Sequence, residues 1–184
     1  MNPVIIAVIG GAVLILIIVL SWWISTGNNF KRAQIKINES QSGIEVALTK
    51  RFDKLTKMLE VTKAYAKHEK ETLSMVISMR RGMTIGQLNE TNAQLDALGA
   101  RINAVAESYP ELRSAETFRE LQAGIRDAEE HLQAARRLYN SNVTAFNTAI
   151  AMFPSSIIAN SMGLHSAEFF TAEEHKKADV KMVF

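Results

Sequence analysis

Cysteine is missing from all 184 residues. Its absence removes disulfides, thiolate zinc sites, iron–sulfur clusters, cysteine nucleophiles and a lipoprotein cysteine. Proline is scarce, with three residues, and glycine is limited to nine. Ala, Leu, Glu, Lys, Gln and Arg are abundant instead, the mixture that long helices need. No stretch sustains the apolar/polar alternation of a strand. An excess of one charge sign is also lacking: Lys+Arg is 21, Asp+Glu is 19, and the net charge is +2. A nucleic-acid partner is therefore not expected, since such proteins concentrate basic side chains on a stripe.

The usual chemical constellations are absent too. Helical bundles often hold di-iron sites built from Glu-x-x-His pairs. The residues three before the four histidines are Tyr65, Ala128, Met162 and Ala172, and none is Glu. His68-Glu69 and Glu130-His131 are sequence neighbours and point to different sides of a helix. There is no phosphate-cradling glycine loop, no His-Glu-x-x-His and no Gly-x-Ser-x-Gly. No catalytic residue, metal ligand or cofactor is expected, and the chain does not read as an enzyme.

What is present begins with an uncharged N-terminal stretch. No Asp, Glu, Lys or Arg precedes Lys31. Val4 to Ile24 is almost wholly apolar, with Val4, Ile5, Ala7, Gly11, Leu14 and Leu20 along it. About 20 helical residues cross the roughly 30 Å hydrocarbon core of a bilayer. Trp22 and Trp23 stand where the stretch meets polar sequence, as an interfacial aromatic belt would. A cleaved signal peptide would want a basic n-region and a shorter apolar core, so a retained single-pass anchor is expected. Ala7 and Gly11 form a small-xxx-small pair able to admit a second helix closely.

Lys31, Arg32 and Lys36 follow the span. The positive-inside rule then places the N-terminus outside and the rest of the chain in the cytoplasm. Residues 31–70 carry ten basic and five acidic side chains, net +5, and residues 71–184 carry eleven and fourteen, net −3. Basic side chains beside a membrane are drawn to anionic head groups, so the lipid bilayer is the expected first partner; a solvated helix face explains the same charges.

Beyond a break at Gly27-Asn28-Asn29, Ile37, Ile44, Leu48, Leu55, Leu59, Ala66, Leu73 and Val76 recur at helical spacing, and Gly82 to Gly86 closes that helix. A second helix is expected over about Gln87 to Ser108, with Tyr109-Pro110 as its turn. The third carries Phe118, Leu121, Ile125, Ala128, Leu132, Ala135, Tyr139, Asn142, Phe146 and Ala149, alternately three and four apart, a heptad seam that must be buried. Asn142 on that seam either sets register or oligomeric state, or faces solvent at a bundle end. Phe153-Pro154 stops the helix, Ile157 to Met162 forms a short one ending at Gly163, and Thr171-Ala172-Glu173-Glu174 has capping-box spacing for a last one. Phe169-Phe170 and Met182-Val183-Phe184 make an apolar-tipped C-terminus, to be packed on the bundle's own groove or on a membrane or neighbour. The expected fold is all-α: an N-terminal transmembrane helix (1–29), an elongated antiparallel bundle of three to four helices (30–153), and short C-terminal helices with a tail (154–184).

Several segments then become familiar together. Ser42-Gly43-Ile44-Glu45-Val46-Ala47-Leu48, Lys50-Arg51-Phe52-Asp53, Tyr65-Ala66-Lys67-His68-Glu69 and Glu71-Thr72-Leu73 resemble the LemA family. So do Tyr109-Pro110-Glu111-Leu112, Ala135-Arg136-Arg137 through Tyr139-Asn140, Asn147, Phe153-Pro154-Ser155 and Ala167-Glu168-Phe169-Phe170. The resemblance covers nearly the whole chain, with two departures: Leu55-Thr56-Lys57-Met58 stands where the family has Ile-Pro-Asn-Leu, and Gln41 stands where many members have Trp. The resemblance implies a single-pass bacterial inner-membrane protein, N-terminus out, with a cytoplasmic helical domain. A relative in magnetotactic bacteria takes part in magnetosome membrane formation, which implies membrane organisation as a theme. The expected function is a membrane-anchored scaffold that self-assembles as a homo-oligomer; the alternative is an adaptor binding a membrane-protein partner such as a protease or signalling complex.

Overall fold

The computed structural model describes residues 3–66, 77, 79–80 and 82–171. Among the described residues five helices follow one another: α1 (Pro3–Tyr65), α2 (Ile85–Ser108), α3 (Pro110–Ser114), α4 (Glu116–Ala151) and α5 (Ser155–Ser161). No strand occurs among the described residues. Leu73, Val76, His68, His175, the capping-box residues after Thr171 and the 182–184 tail lie outside them.

Gly27-Asn28-Asn29 does not break the first helix, which runs through it without interruption. Glycine and asparagine each cost up to about 1 kcal/mol in a helix interior, and local packing outweighs that here. Phe30, the next residue, is buried. The Met162 sulfur lies 3.6 Å from where a side chain at Gly27 would begin, so glycine gives it room. The helix also ends earlier than expected, at Tyr65. Gly82–Gly86 belongs to the start of α2: Thr84 caps it, accepting from the Gln87 amide (3.3 Å), while the Gln87 side chain accepts from the Thr84 amide (3.0 Å). Gly86 sits inside the first turn that this reciprocal cap secures.

Contacts divide the chain into two interleaved units, one of Met1–Asn38 with Ser141–Ala167, the other of Glu39–Asn140 with Glu168–Phe184. The first takes the N-terminal part of α1, the end of α4, and α5. Its buried residues include Phe30, Ile37, Val143, Phe146, Ile158 and Ala159. Asn142 donates to the Lys36 carbonyl at 3.3 Å. The seam asparagine thus ties α4 to the α1 backbone from a half-exposed position. Asn147 clamps the chain beyond α5, donating to the Ala167 carbonyl (3.0 Å) and accepting from its amide (2.8 Å).

In the second unit α1, α2 and α4 bury one face each. Ile44, Leu48, Leu55 and Met58 come from α1; Leu88, Leu95, Leu98 and Ile102 from α2; Phe118, Leu121, Leu132 and Tyr139 from α4. Gly43 faces Ala135 and Gly124 faces Lys54, so α4 runs antiparallel to α1. The Arg51 guanidinium reaches Asn92 and Asp96, and Gly99 faces Leu55. Numbers rise together along α1 and α2, which therefore point the same way, with α4 antiparallel to both. The 19 residues between Tyr65 and Ile85 permit this, since running back along α1 from Tyr65 to the level of Gln41, which bonds Met83, needs only about 36 Å of chain. Leu55-Thr56-Lys57-Met58 lies inside continuous helix, and Gln41, at the other departure, donates to the Met83 carbonyl at 3.0 Å.

Candidate functional site: a buried arginine, a cleft and an uncovered helix

Arg51 falls between Leu48 and Leu55 on the buried face of α1, and its side chain is 7% exposed. A guanidinium taken out of water must be paired and hydrogen-bonded, or its desolvation cost stands. Its Nη1 donates to the Asn92 side-chain oxygen at 2.9 Å. Its Nη2 donates to the Asp96 carboxylate and, at 3.0 Å, to that of Glu129. Asn92 and Asp96 are one turn apart on α2, and Glu129 is on α4, so one side chain joins three helices. Nε is the one buried side-chain nitrogen or oxygen without a hydrogen-bond partner among the described residues.

A cleft of about 590 Å³ opens beside this cluster, lined by Arg51, Met58, Asp96, Gly99, Gln122 and Arg126 among others. Small residues make it: Ala93, Ala97, Gly99 and Ala100 leave α2 slim where it passes α4. Ile125 borders the cleft and is only half-buried, whereas Phe118, Leu121, Leu132, Tyr139 and Phe146 of the same seam are buried. The arrangement can hold three helices in register and offer a polar-floored recess. Among the described residues no group of three or more His, Asp or Glu side chains is placed to hold a metal ion.

A strap closes the other side of the Arg51 cluster. Asn140 donates to the Phe170 carbonyl and accepts from its amide, both at 2.9 Å. The Tyr139 hydroxyl donates to the Glu168 carbonyl at 2.8 Å. Phe170 is buried and Phe169 exposed, so the aromatic pair is split between the unit's own interior and its surface. Burial of the Tyr139 phenol, and secondarily the Glu168 carboxylate, raise its pKa above the usual 10.0. Above pH 10 the unfolded chain loses this proton while the fold keeps it, so the fold loses stability as pH rises. Tyr139→Phe is expected to flatten the alkaline limb of a pH–stability profile, while costing about 1 kcal/mol at neutral pH for the lost hydrogen bond; a helical-signal melt at a series of pH values measures both.

The N-terminal part of α1 has the opposite character. Val4, Ile5, Leu14 and Leu20 are at least half exposed, and Trp22 and Trp23 about 40%. Ala7 and Gly11 are exposed as well, and nothing lies near Gly11. The helix is long and apolar enough to cross a membrane. Lys31, Arg32 and Lys36 are exposed in the first unit, with Arg32 and Lys36 lining a shallow hollow beside Asn142.

Together these features define an all-helical protein whose folded part is joined to an uncovered apolar N-terminal helix. Residues 40–184 match the model of the LemA family, and the chain belongs to that family. The match begins beyond the apolar stretch. "Protein LemA" of Metamycoplasma hominis is 28% identical over 163 residues, covering 86% of this chain and 74% of that protein. "Magnetosome protein MamQ" of Magnetospirillum gryphiswaldense is 31% identical over 75 residues, 41% of this chain and 27% of that protein. "Magnetosome protein MamQ 2" of Paramagnetospirillum magneticum is 27% identical over 95 residues, 48% of this chain and 35% of that protein. None of these names is that of an enzyme.

Sequence reasoning quoted Arg51, Asn140 and Asn147 only as parts of a resemblance and gave them no role. A signal for Arg51 was there: a charged residue at a seam position demands a buried partner. The strap had none, because each asparagine pairs with backbone, and backbone groups carry no sequence mark.

Proposed function

We propose that this chain is a single-pass inner-membrane protein whose helical domain self-assembles into a scaffold that organises or shapes the membrane around it. The observation that carries the reading is the uncovered helix: no part of the apolar window is buried in the fold. Some 20 apolar side chains left in water would forfeit about 1.5–3 kcal/mol for each large one, and a bilayer removes that penalty. Lys31, Arg32 and Lys36 at the end of the stretch support an N-out orientation with the domain on the cytoplasmic side. The magnetosome proteins named among the relatives favour a role at membranes.

Support for assembly comes from the surface, since the α4 seam is consumed inside the chain. Gly43, Ala47, Ala134 and Ala135 floor a groove of about 480 Å³ between α1 and α4, with Val46 and Leu138 on its rims, 56% and 58% exposed. Uncovered apolar rims beside small residues suit a second helix. Light scattering of the detergent-solubilised chain is expected to give a mass of several chains, and Leu138→Glu to reduce it at least twofold. A monomer at every concentration removes assembly from the reading.

The cleft beside Arg51 favours a second reading, an adaptor that takes a segment of a membrane-protein partner. Recovery of one stoichiometric partner from native membranes, lost on filling the cleft with Gly99→Leu, would favour it over the scaffold.

A further inference from the structure

We propose that the turn between α4 and α5, through Met152, Phe153 and Ile157, inserts into the lipid interface at the level where the apolar stretch of α1 ends. This rests on reading Val4–Ile24 as a membrane span, and gives the chain a second foothold on the same face of the bilayer.

The first ground is charge. From Leu138 to Ala167 there is no Asp, Glu, Lys or Arg, thirty residues in a chain where such residues make up 22%. The unit that contains this turn has only Lys31, Arg32 and Lys36 as side chains of that kind. All three are basic, which suits an anionic head-group layer and leaves no carboxylate to be repelled by it. The second ground is exposure. Phe153 is 82% exposed, Met152 61% and Ile157 51%, in a turn where polar residues are the norm. The neighbouring Ile158 and Ala159 are buried, so α5 packs by one side and leaves the apolar turn facing outward.

The third ground is position within that unit. Asn142 bonds the Lys36 carbonyl, and the Met162 sulfur lies against Gly27. The chain thus travels toward the N-terminal end of α1 as α4 ends and α5 returns. From Asn142 to Ala151, nine helical residues rise about 13 Å, and from Lys36 back to Gly27 is the same distance. Met152 to Ile157 therefore turn near the level of Ile24 to Gly27, next to the Trp22-Trp23 pair. Lys31 lies about 6 Å beyond Gly27 along the axis, near the outer edge of a head-group layer about 5–7 Å thick, and Lys36 lies about 14 Å beyond Gly27, within about a Debye length of that layer. Aromatic pair, apolar turn and basic side chains follow one another along the axis in the order of a bilayer interface. A bilayer covers the first two and meets the third at its surface; a second copy docked on the turn alone would leave the adjoining apolar helix and the basic residues unexplained.

The lack of native cysteine makes a direct test simple. Single-cysteine variants of the full chain, Phe153→Cys, Ile157→Cys, Ile15→Cys and Glu107→Cys, are labelled with the environment-sensitive dye NBD and placed in nanodiscs of phosphatidylcholine and phosphatidylglycerol. Residues 153 and 157 are exposed, so the label does not disturb the core. The expected result is blue-shifted emission at 15, 153 and 157, with at least twofold quenching by lipid nitroxides, shallow nitroxides acting best at 153 and 157 and deep ones at 15. Glu107, an exposed α2 position, serves as the water-like reference. Quenching at 15 with water-like emission at 153 and 157 overturns the insertion while the span stands. No quenching at 15 removes the span and the insertion with it. Blue-shifted emission at 153 that lipid nitroxides leave unquenched means a protein surface covers the turn, and also overturns it.

Discussion

Replacing Arg51 with alanine is expected to destabilise the helical domain by about 3 kcal/mol, toward the lower end of the cost of breaking a buried ion pair. The substitution removes a side chain that hydrogen-bonds from α1 to both α2 and α4 and leaves the Asp96 carboxylate, 19% exposed, without its cation. Glu129 is 44% exposed and regains water, so it adds little. For a chain of this size the melting temperature should fall by about 6–12 °C, read by helical signal in detergent. The paired replacement Arg51→Met with Asp96→Leu should recover most of that loss, because an apolar pair of similar volume carries no desolvation cost. Should Arg51→Ala leave the melt unchanged, the cluster is a solvated surface contact and the cleft beside it has no fixed floor.

The second large effect concerns the span. Deleting residues 3–24 is expected to move the chain almost completely from the carbonate-resistant membrane pellet to the soluble fraction. A single Leu14→Arg exchange should reduce insertion strongly, since an arginine at the centre of a span costs about 2.5–3.5 kcal/mol on the insertion scale. An interfacial turn such as Met152–Ile157 does not resist carbonate, so it cannot mask the loss. Persistence of the shortened chain in the pellet would mean that something other than this helix holds it there. The helical signal per residue of the remaining chain should stay near its full-length value, because the cores that α2 and α4 share with α1 use residues from Phe30 onward.

These two effects sit at opposite ends of what could be read without coordinates. Val4 to Ile24 is legible by composition alone, for an uncharged apolar run of that length shows without reference to distant residues, and it forms an exposed helix. The α4 seam was equally legible, since Phe118, Leu121, Leu132, Tyr139 and Phe146 repeat at the helical period and all are buried. The helix ends were less so. Gly27-Asn28-Asn29 has the composition of a turn, yet Phe30 and Met162 pack there and the helix continues. Thr84-Ile85-Gly86-Gln87 carried a capping-box spacing, but Gly86 pointed toward a break.

By itself, then, the sequence determined that this protein is predominantly helical, apolar and uncharged at its N-terminus, and carries one long seam in α4. Those properties follow from local periodicity and composition, which act within a few turns of chain. Only the tertiary structure decided that α2 runs parallel to α1, that Arg51 finds Asp96 45 residues away and Glu129 78 residues away, and that Asn140 and Asn147 strap down residues 167–170. It also decided that the uncharged turn at Phe153 shares a unit with the end of the apolar stretch, with Met162 against Gly27. Each of these depends on which distant residues are brought side by side, and helical periodicity specifies which face is buried without naming the partner that buries it.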